Sequence, residues 1–118
     1  MMKQLAFALG LALAAVTPAY AQDDFNGATQ ILKGDYVGAE RVILEQRRMF
    51  PGDPDLMLNL AAAYQRTGRS SEARALYRAV LARPDEAMDL PGAARPHSSH
   101  VLARAGLGRL DGIQFSAR

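Results

Sequence analysis

The sequence holds 118 residues, with fourteen Lys and Arg against twelve Asp and Glu, and it has neither cysteine nor tryptophan. The lack of cysteine excludes a disulfide framework, a lipid-modified N-terminal cysteine, thiolate metal ligation and thiol catalysis. Charge so close to balance supplies no basic patch of the kind that holds nucleic acid.

The first element in chain order is a leader, not part of a fold. Lys3 provides a positive start, residues 5–16 form an uncharged run of Leu, Ala, Phe, Gly and Val, and Thr17 and Pro18 break it. That run is too short to span a bilayer. Ala19, Tyr20 and Ala21 place small residues where a signal peptidase inspects them, so residues 1–21 read as a secretory signal peptide cleaved before Gln22. The mature chain of 97 residues then suffices for one small domain, periplasmic or secreted, with no stable membrane insertion.

A repeat of 34 residues follows. Gly34 precedes Gly68, Ala39 precedes Ala73, and Ile43 precedes Tyr77 by that interval, each pair similar in type. Phe25, Ala28 and Leu32 outline a short first helix, interrupted by Lys33, Gly34 and Asp35. A second helix, from 36 to about 49, carries Ala39, Val42, Ile43 and Gln46 on one face and stops at Phe50, Pro51 and Gly52. Asp53 caps the third, with Pro54 at the first helical position, where no N–H is needed. Met57, Leu60, Ala61 and Tyr64 form its apolar stripe; Gly68 turns the chain. A cap at Ser70 or Ser71 and a stripe of Ala73, Leu76, Tyr77 and Val80 define the fourth helix, which Pro84 ends.

On these residues the sequence resembles the tetratricopeptide repeat family. Met57 stands at its opening aromatic, Leu60 and Ala61 at its Leu-Gly pair, Tyr64 at its Tyr, Ala73 at its Ala and Tyr77 at its second aromatic, with Pro84 one residue early. The first copy matches only in its second half, through Gly34, Asp35, Tyr36, Ala39 and Pro51. The resemblance implies an all-α fold, antiparallel helix pairs of a short superhelix, with two repeats over residues 22–85.

Beyond them the 34-residue phase is lost. Pro84, Pro91, Gly92 and Pro96 make residues 86–98 an irregular loop, and residues 99–118 a displaced capping helix and tail. Leu102, Ala105, Gly106 and Leu110 give that helix its apolar side, while Gly106, Gly108 and Gly112 weaken it by roughly 1 kcal/mol each, so fraying toward Phe115 is expected.

Chemistry-bearing residues are sparse. His97 and His100 have a spacing that could supply two metal ligands, with Asp89 and Asp111 the nearest acids, yet no convincing third ligand adjoins them. Surface or capping roles suit the histidines better. Ser98 and Ser99 read as helix caps, and Glu40, Glu45, Glu72 and Glu86 as solvated carboxylates. No catalytic residue, metal site or cofactor is expected. The resemblance instead implies a concave groove facing Asp55, Leu58, Asn59, Ala62 and Arg66. Some relatives grip a terminal carboxylate there; Asn59 fits one position of that clamp, His100 and Arg104 would occupy two basic ones, and Asp24 and Ala28 replace the remaining Lys and Asn. The expected function is an exported scaffold that binds a peptide or protein partner in the cell envelope, with self-association as a way to extend so small a surface. The alternatives are a small metal-binding factor or enzyme centred on His97 and His100, and a structural homodimerising subunit.

Overall fold

The computed structural model of the chain describes residues 26–90 and 93–116; the expected leader, Asp24 and Phe25 lie outside them. Five helices run in order: α1 Ala28–Leu32, α2 Tyr36–Arg47, α3 Pro54–Arg66, α4 Ser70–Leu81 and α5 Ser99–Ser116. Between α4 and α5 two short strands, β1 Ala87–Met88 and β2 His97–Ser98, pair antiparallel with Ala87 opposite Ser98 and Met88 opposite His97.

The 34-residue period has a hydrogen-bonding counterpart. Gly34 and Gly68 both adopt positive φ, 78° and 79°. At the first turn Asp35 N–H donates to Gln30 O at 2.8 Å and Gly34 N–H to Ile31 O at 3.0 Å. At the second, Arg69 N–H donates to Tyr64 O at 2.8 Å and Gly68 N–H to Gln65 O at 3.3 Å. These are two copies of one left-handed helix stop, in which glycine satisfies the last carbonyls while reversing the chain. The repeat therefore lives in the turns as much as in the helices.

Side-chain capping follows the sequence at α3, is added at α2 and departs from the sequence at α4. Asp35 accepts from Gly38 N–H at 2.9 Å, and Asp53 accepts from Asp55 N–H at 2.9 Å with Pro54 opening α3. Helix α4 has no side-chain cap: Arg69, not Ser70 or Ser71, holds the capping position. Its guanidinium reaches across to both carboxylate oxygens of Glu40 on α2 and lies 4.2 Å from the centroid of Tyr64. That clip joins the two repeats where a serine would have capped one helix.

The core runs through all the longer helices: Ala39 and Ile43 of α2, Leu56, Met57, Leu60, Ala61 and Ala63 of α3, Ala73, Leu76, Tyr77 and Val80 of α4, and Ala103 and Leu110 of α5. Small residues at Ala39, Ala61 and Ala73, each fully buried, let helix axes approach; the larger side chains fill the remaining space.

The last helix docks through a staple that spans the irregular connection. Ser99 is fully buried; its N–H donates to Glu86 O at 2.8 Å and its hydroxyl accepts from Glu86 N–H at 3.0 Å. The Asp85 carboxylate accepts from the Ser98 hydroxyl at 2.6 Å, from the Ser99 hydroxyl at 3.2 Å and from His100 N–H at 3.1 Å. Ser98 Oγ in turn accepts from Val101 N–H at 3.2 Å. An aspartate thirteen residues upstream thus shares the capping of α5 with Ser98. Once Ser99 is inside, Ala103, Gly106 and Leu110 follow on the same face at helical spacing.

One expectation needs correction here. The connection is not wholly irregular, because its ends are tied by the β1·β2 pair and the staple. Helix α5 runs through its glycines to Ser116, with Arg74 of α4 bridging to Asp111 at 2.8 Å and Tyr77 pressed against Gly106. Tertiary packing overrides the weak propensity.

The staple makes a pH prediction. The Asp85 carboxyl sits below its ordinary value, chiefly because the Ser98 hydroxyl donates to it, then because His100 N–H does. A depressed folded pKa gives stability that is full above the unfolded value, about 3.9, and lost as pH falls through the lower folded value. Below about pH 4, α5 amides should therefore lose hydrogen-exchange protection ahead of those in α3. Asp85→Ala should show the same loosening at neutral pH and a flatter acid response; equal protection of α5 in variant and parent at pH 7 would remove Asp85 from this role.

Candidate partner-binding groove

On α3, Asp55, Leu58, Asn59 and Ala62 fall at i, i+3, i+4 and i+7 and form one stripe. Opposite stand Leu102, Ala105 and Arg109 of α5, also at i, i+3 and i+7. Tyr77 forms the floor, and Met88 with Leu90, from the connection, closes one side. Together they bound a cleft of about 170 Å³.

The polar groups in this cleft are unequally engaged. Asp55 accepts from the Asn26 side-chain amide at 2.8 Å, and the Asn59 amide donates to Asn26 O at 2.9 Å. Asn26 Oδ1 also accepts from Ala28 N–H at 3.0 Å, so this one residue starts α1 and ties it to α3. Across the floor, the Tyr77 hydroxyl donates to Gln65 Oε1 at 2.9 Å. Burial raises the Tyr77 pKa, and the nearby Arg109 guanidinium works against that shift. Arg109 is exposed, and among the described residues it has no carboxylate partner.

The residues expected from sequence divide cleanly. Asp55, Leu58, Asn59 and Ala62 are brought together in the cleft. Arg66 is exposed at the end of α3 and does not line it. His100 and Arg104 do not line it either: the His100 ring donates through Nε2 to Arg83 O at 2.6 Å, and Arg104 is exposed on α5 outside the lining. Burying Ser99 rotates α5 so that Leu102, Ala105 and Arg109 meet the cleft instead. The clamp arrangement is further weakened because the Asn59 amide already serves Asn26. Asp24 lies outside the described residues, and Ala28 opens α1.

The alternative centred on the histidines gains nothing from the geometry. His97 is exposed on β2, Asp111 is engaged by Arg74, and among the described residues no group of three His, Asp or Glu could hold a metal ion. Ser98 donates to Asp85, not to an imidazole, so serine, histidine and aspartate are neighbours in the arrangement of a helix cap. Glu40 is paired with Arg69, Glu72 lies 3.9 Å from the same guanidinium, Glu45 and Glu86 are exposed.

Residues that the sequence did not mark as site residues are Tyr77, Met88, Leu90, Leu102, Ala105 and Arg109. Arg109 lies seven residues after Leu102, a signal that becomes readable only once the inward face of α5 is known. Met88 and Leu90 sit in a proline-rich stretch without periodicity and carried no signal.

Comparison with known proteins gives one match. A family model described as Tetratricopeptide repeat matches residues 19–90. Neither the curated proteins nor the solved structures contain a match.

Proposed function

Because the chain belongs to the tetratricopeptide repeat family, whose repeats generally mediate protein–protein interaction, we propose that it is an exported interaction module holding a partner segment in the cleft between α3 and α5. The observation that carries this reading is the convergence of Leu58, Ala62, Leu102 and Ala105 from two helices on one open concavity floored by Tyr77. Its place of work is the cell envelope. That location is supported by Lys3, the apolar run over residues 5–16 and the small residues Ala19 and Ala21. Among the described residues no helix is long and apolar enough to cross a membrane.

The mature protein is expected to begin at Gln22 by intact mass and to retain a protein partner after cross-linking in the envelope. Ala105→Arg, placed on an exposed cleft position, should abolish that capture while changing stability by no more than about 0.5 kcal/mol. An uncleaved chain in the cytoplasm would remove the export half of the proposal. Undiminished capture by Ala105→Arg would remove the cleft half.

A further inference from the structure

The outer face of α2 carries more apolar surface than its place in the repeat requires. Among the described residues six large apolar side chains are exposed, and five of them, Leu32, Val37, Leu44, Met49 and Phe50, fall between residues 32 and 50. The 34-residue period supplies an internal control. At the equivalent exposed positions the second repeat carries Arg66 for Leu32, Ser71 for Val37, Arg78 for Leu44 and Arg83 for Met49. The same place in the fold is polar in one copy and apolar in the other, so the fold itself does not call for the apolar residues. Exposed apolar side chains gathered on one face mark an interaction surface.

Val37, Arg41, Leu44 and Arg48 lie at i, i+4, i+7 and i+11 and run the length of α2, about 18 Å at 1.5 Å per residue. Arg41, Leu44, Glu45 and Arg48, at i, i+3, i+4 and i+7, surround an open concavity. Four residues in that pattern form the hole that receives one side chain of a facing helix. The second repeat has Ala75, Arg78, Ala79 and Ala82 there, without the leucine or the acid. Among the described residues Arg41, Glu45 and Arg48 form no ion pair, although Arg41 and Glu45 stand one turn apart. Arg before Glu is the weaker order within one helix, which leaves both charges open to a neighbour.

Those charges identify the neighbour. An anionic lipid surface would suit the two arginines but repel Glu45 between them. The facing element must instead offer an acid and a base at helical spacing around an apolar knob, and a second α2 carries that set. Set parallel, two copies would oppose Arg41 to Arg41; set antiparallel about a two-fold axis, they bring Arg41 against Glu45 twice. We infer that two copies of this chain associate through α2 as an antiparallel, isologous helix pair, Leu44 of each seated in the hole of the other and Arg41 of each paired with Glu45 of the other. The cleft lining contains no residue of α2, so the dimer presents two clefts, and it forms whatever the cleft binds. One helix face falls short of the roughly 800 Å² per partner of a standard interface, which makes the association weak.

Sedimentation equilibrium of the mature protein, from about 10 µM to about 1 mM in low salt, tests this directly. The expected dissociation constant is about 10–100 µM. Leu44→Arg, which copies the second repeat, should weaken association at least about tenfold with an unchanged circular dichroism spectrum. Arg41→Glu and Glu45→Arg should each weaken it about 5–10-fold, and the double variant should recover most of the loss, because the two residues meet across the two-fold axis. Arg41→Glu combined with Asp89→Arg matches the double variant in net charge and should recover nothing. A chain that stays monomeric to about 1 mM overturns the inference, and its co-sedimentation with phosphatidylglycerol vesicles would assign the face to anionic lipid instead. A dimer indifferent to Leu44→Arg places the contact elsewhere and overturns it as well. Failure of the double charge swap to recover association overturns the antiparallel pairing.

Discussion

Tyr77→Ala is expected to cost about 3–5 kcal/mol, a large part of the 5–15 kcal/mol that stabilises an ordinary domain. Tyr77 is only 2% exposed and joins three parts of the structure. It closes the α3·α4 pair through its hydroxyl on Gln65, forms the surface on which Gly106 of α5 rests, and floors the cleft. Truncation leaves a cavity bounded by helices that are themselves tied by turns and cannot simply collapse into it. Tyr77→Phe separates the ring from the hydroxyl. It keeps the packing and loses one net hydrogen bond of about 0.5–1.5 kcal/mol, the one to Gln65. Urea denaturation followed by far-UV circular dichroism would measure both. A loss below about 1 kcal/mol for the alanine variant would show that the ring is not the keystone described.

The same residue illustrates what the sequence could and could not disclose. Its place in the 34-residue period was legible, because the period is enforced locally: the glycine stops at Gly34 and Gly68 use the same carbonyls at the same spacings. Helix α3 was legible for a related reason. With Asp53 and Pro54 fixing its start, the stripe carrying Asp55, Leu58, Asn59 and Ala62 follows from helical geometry alone.

Helix α5 offered no such local anchor. Its rotation is set by Asp85 and Glu86, which reach Ser99 and His100 across thirteen to fifteen residues, and neither periodicity nor propensity carries long-range hydrogen bonds. Reading its apolar side as Leu102, Ala105, Gly106 and Leu110 mixed two faces. Ala103, Gly106 and Leu110 go inward, whereas Leu102 and Ala105 meet the cleft. His100 and Arg104 accordingly lie outside the cleft lining, and Arg109 lies in it. On α4, the expected serine cap is absent: Arg69 holds the capping position, and its guanidinium pairs with Glu40 across the repeat boundary.

The glycines of α5 turn this difference into a sharp expected result. A Cβ on Gly106 would stand 2.3 Å from Tyr77 Cζ, a separation that requires the ring or the helix to move. The ring is buried and hydrogen-bonded, so Gly106→Val should lever α5 off α4 and cost about 1–3 kcal/mol or more from overpacking. Gly108 and Gly112 lie on the same helix with nothing within 4 Å of their hypothetical Cβ atoms. There alanine removes only the entropic penalty of glycine, and each substitution should stabilise by up to about 1 kcal/mol. One helix thus predicts opposite signs at positions two and six residues apart, which composition alone cannot do. Hydrogen exchange should further show that Gly106→Val exposes α5 amides while α2 and α3 remain protected, since those helices keep their own packing. The cleft would lose Leu102, Ala105 and Arg109 at once, so partner capture should disappear from a protein whose repeats are still folded. Retention of both α5 protection and partner capture in Gly106→Val would mean that the last helix neither docks where Tyr77 lies nor forms the second wall of the cleft.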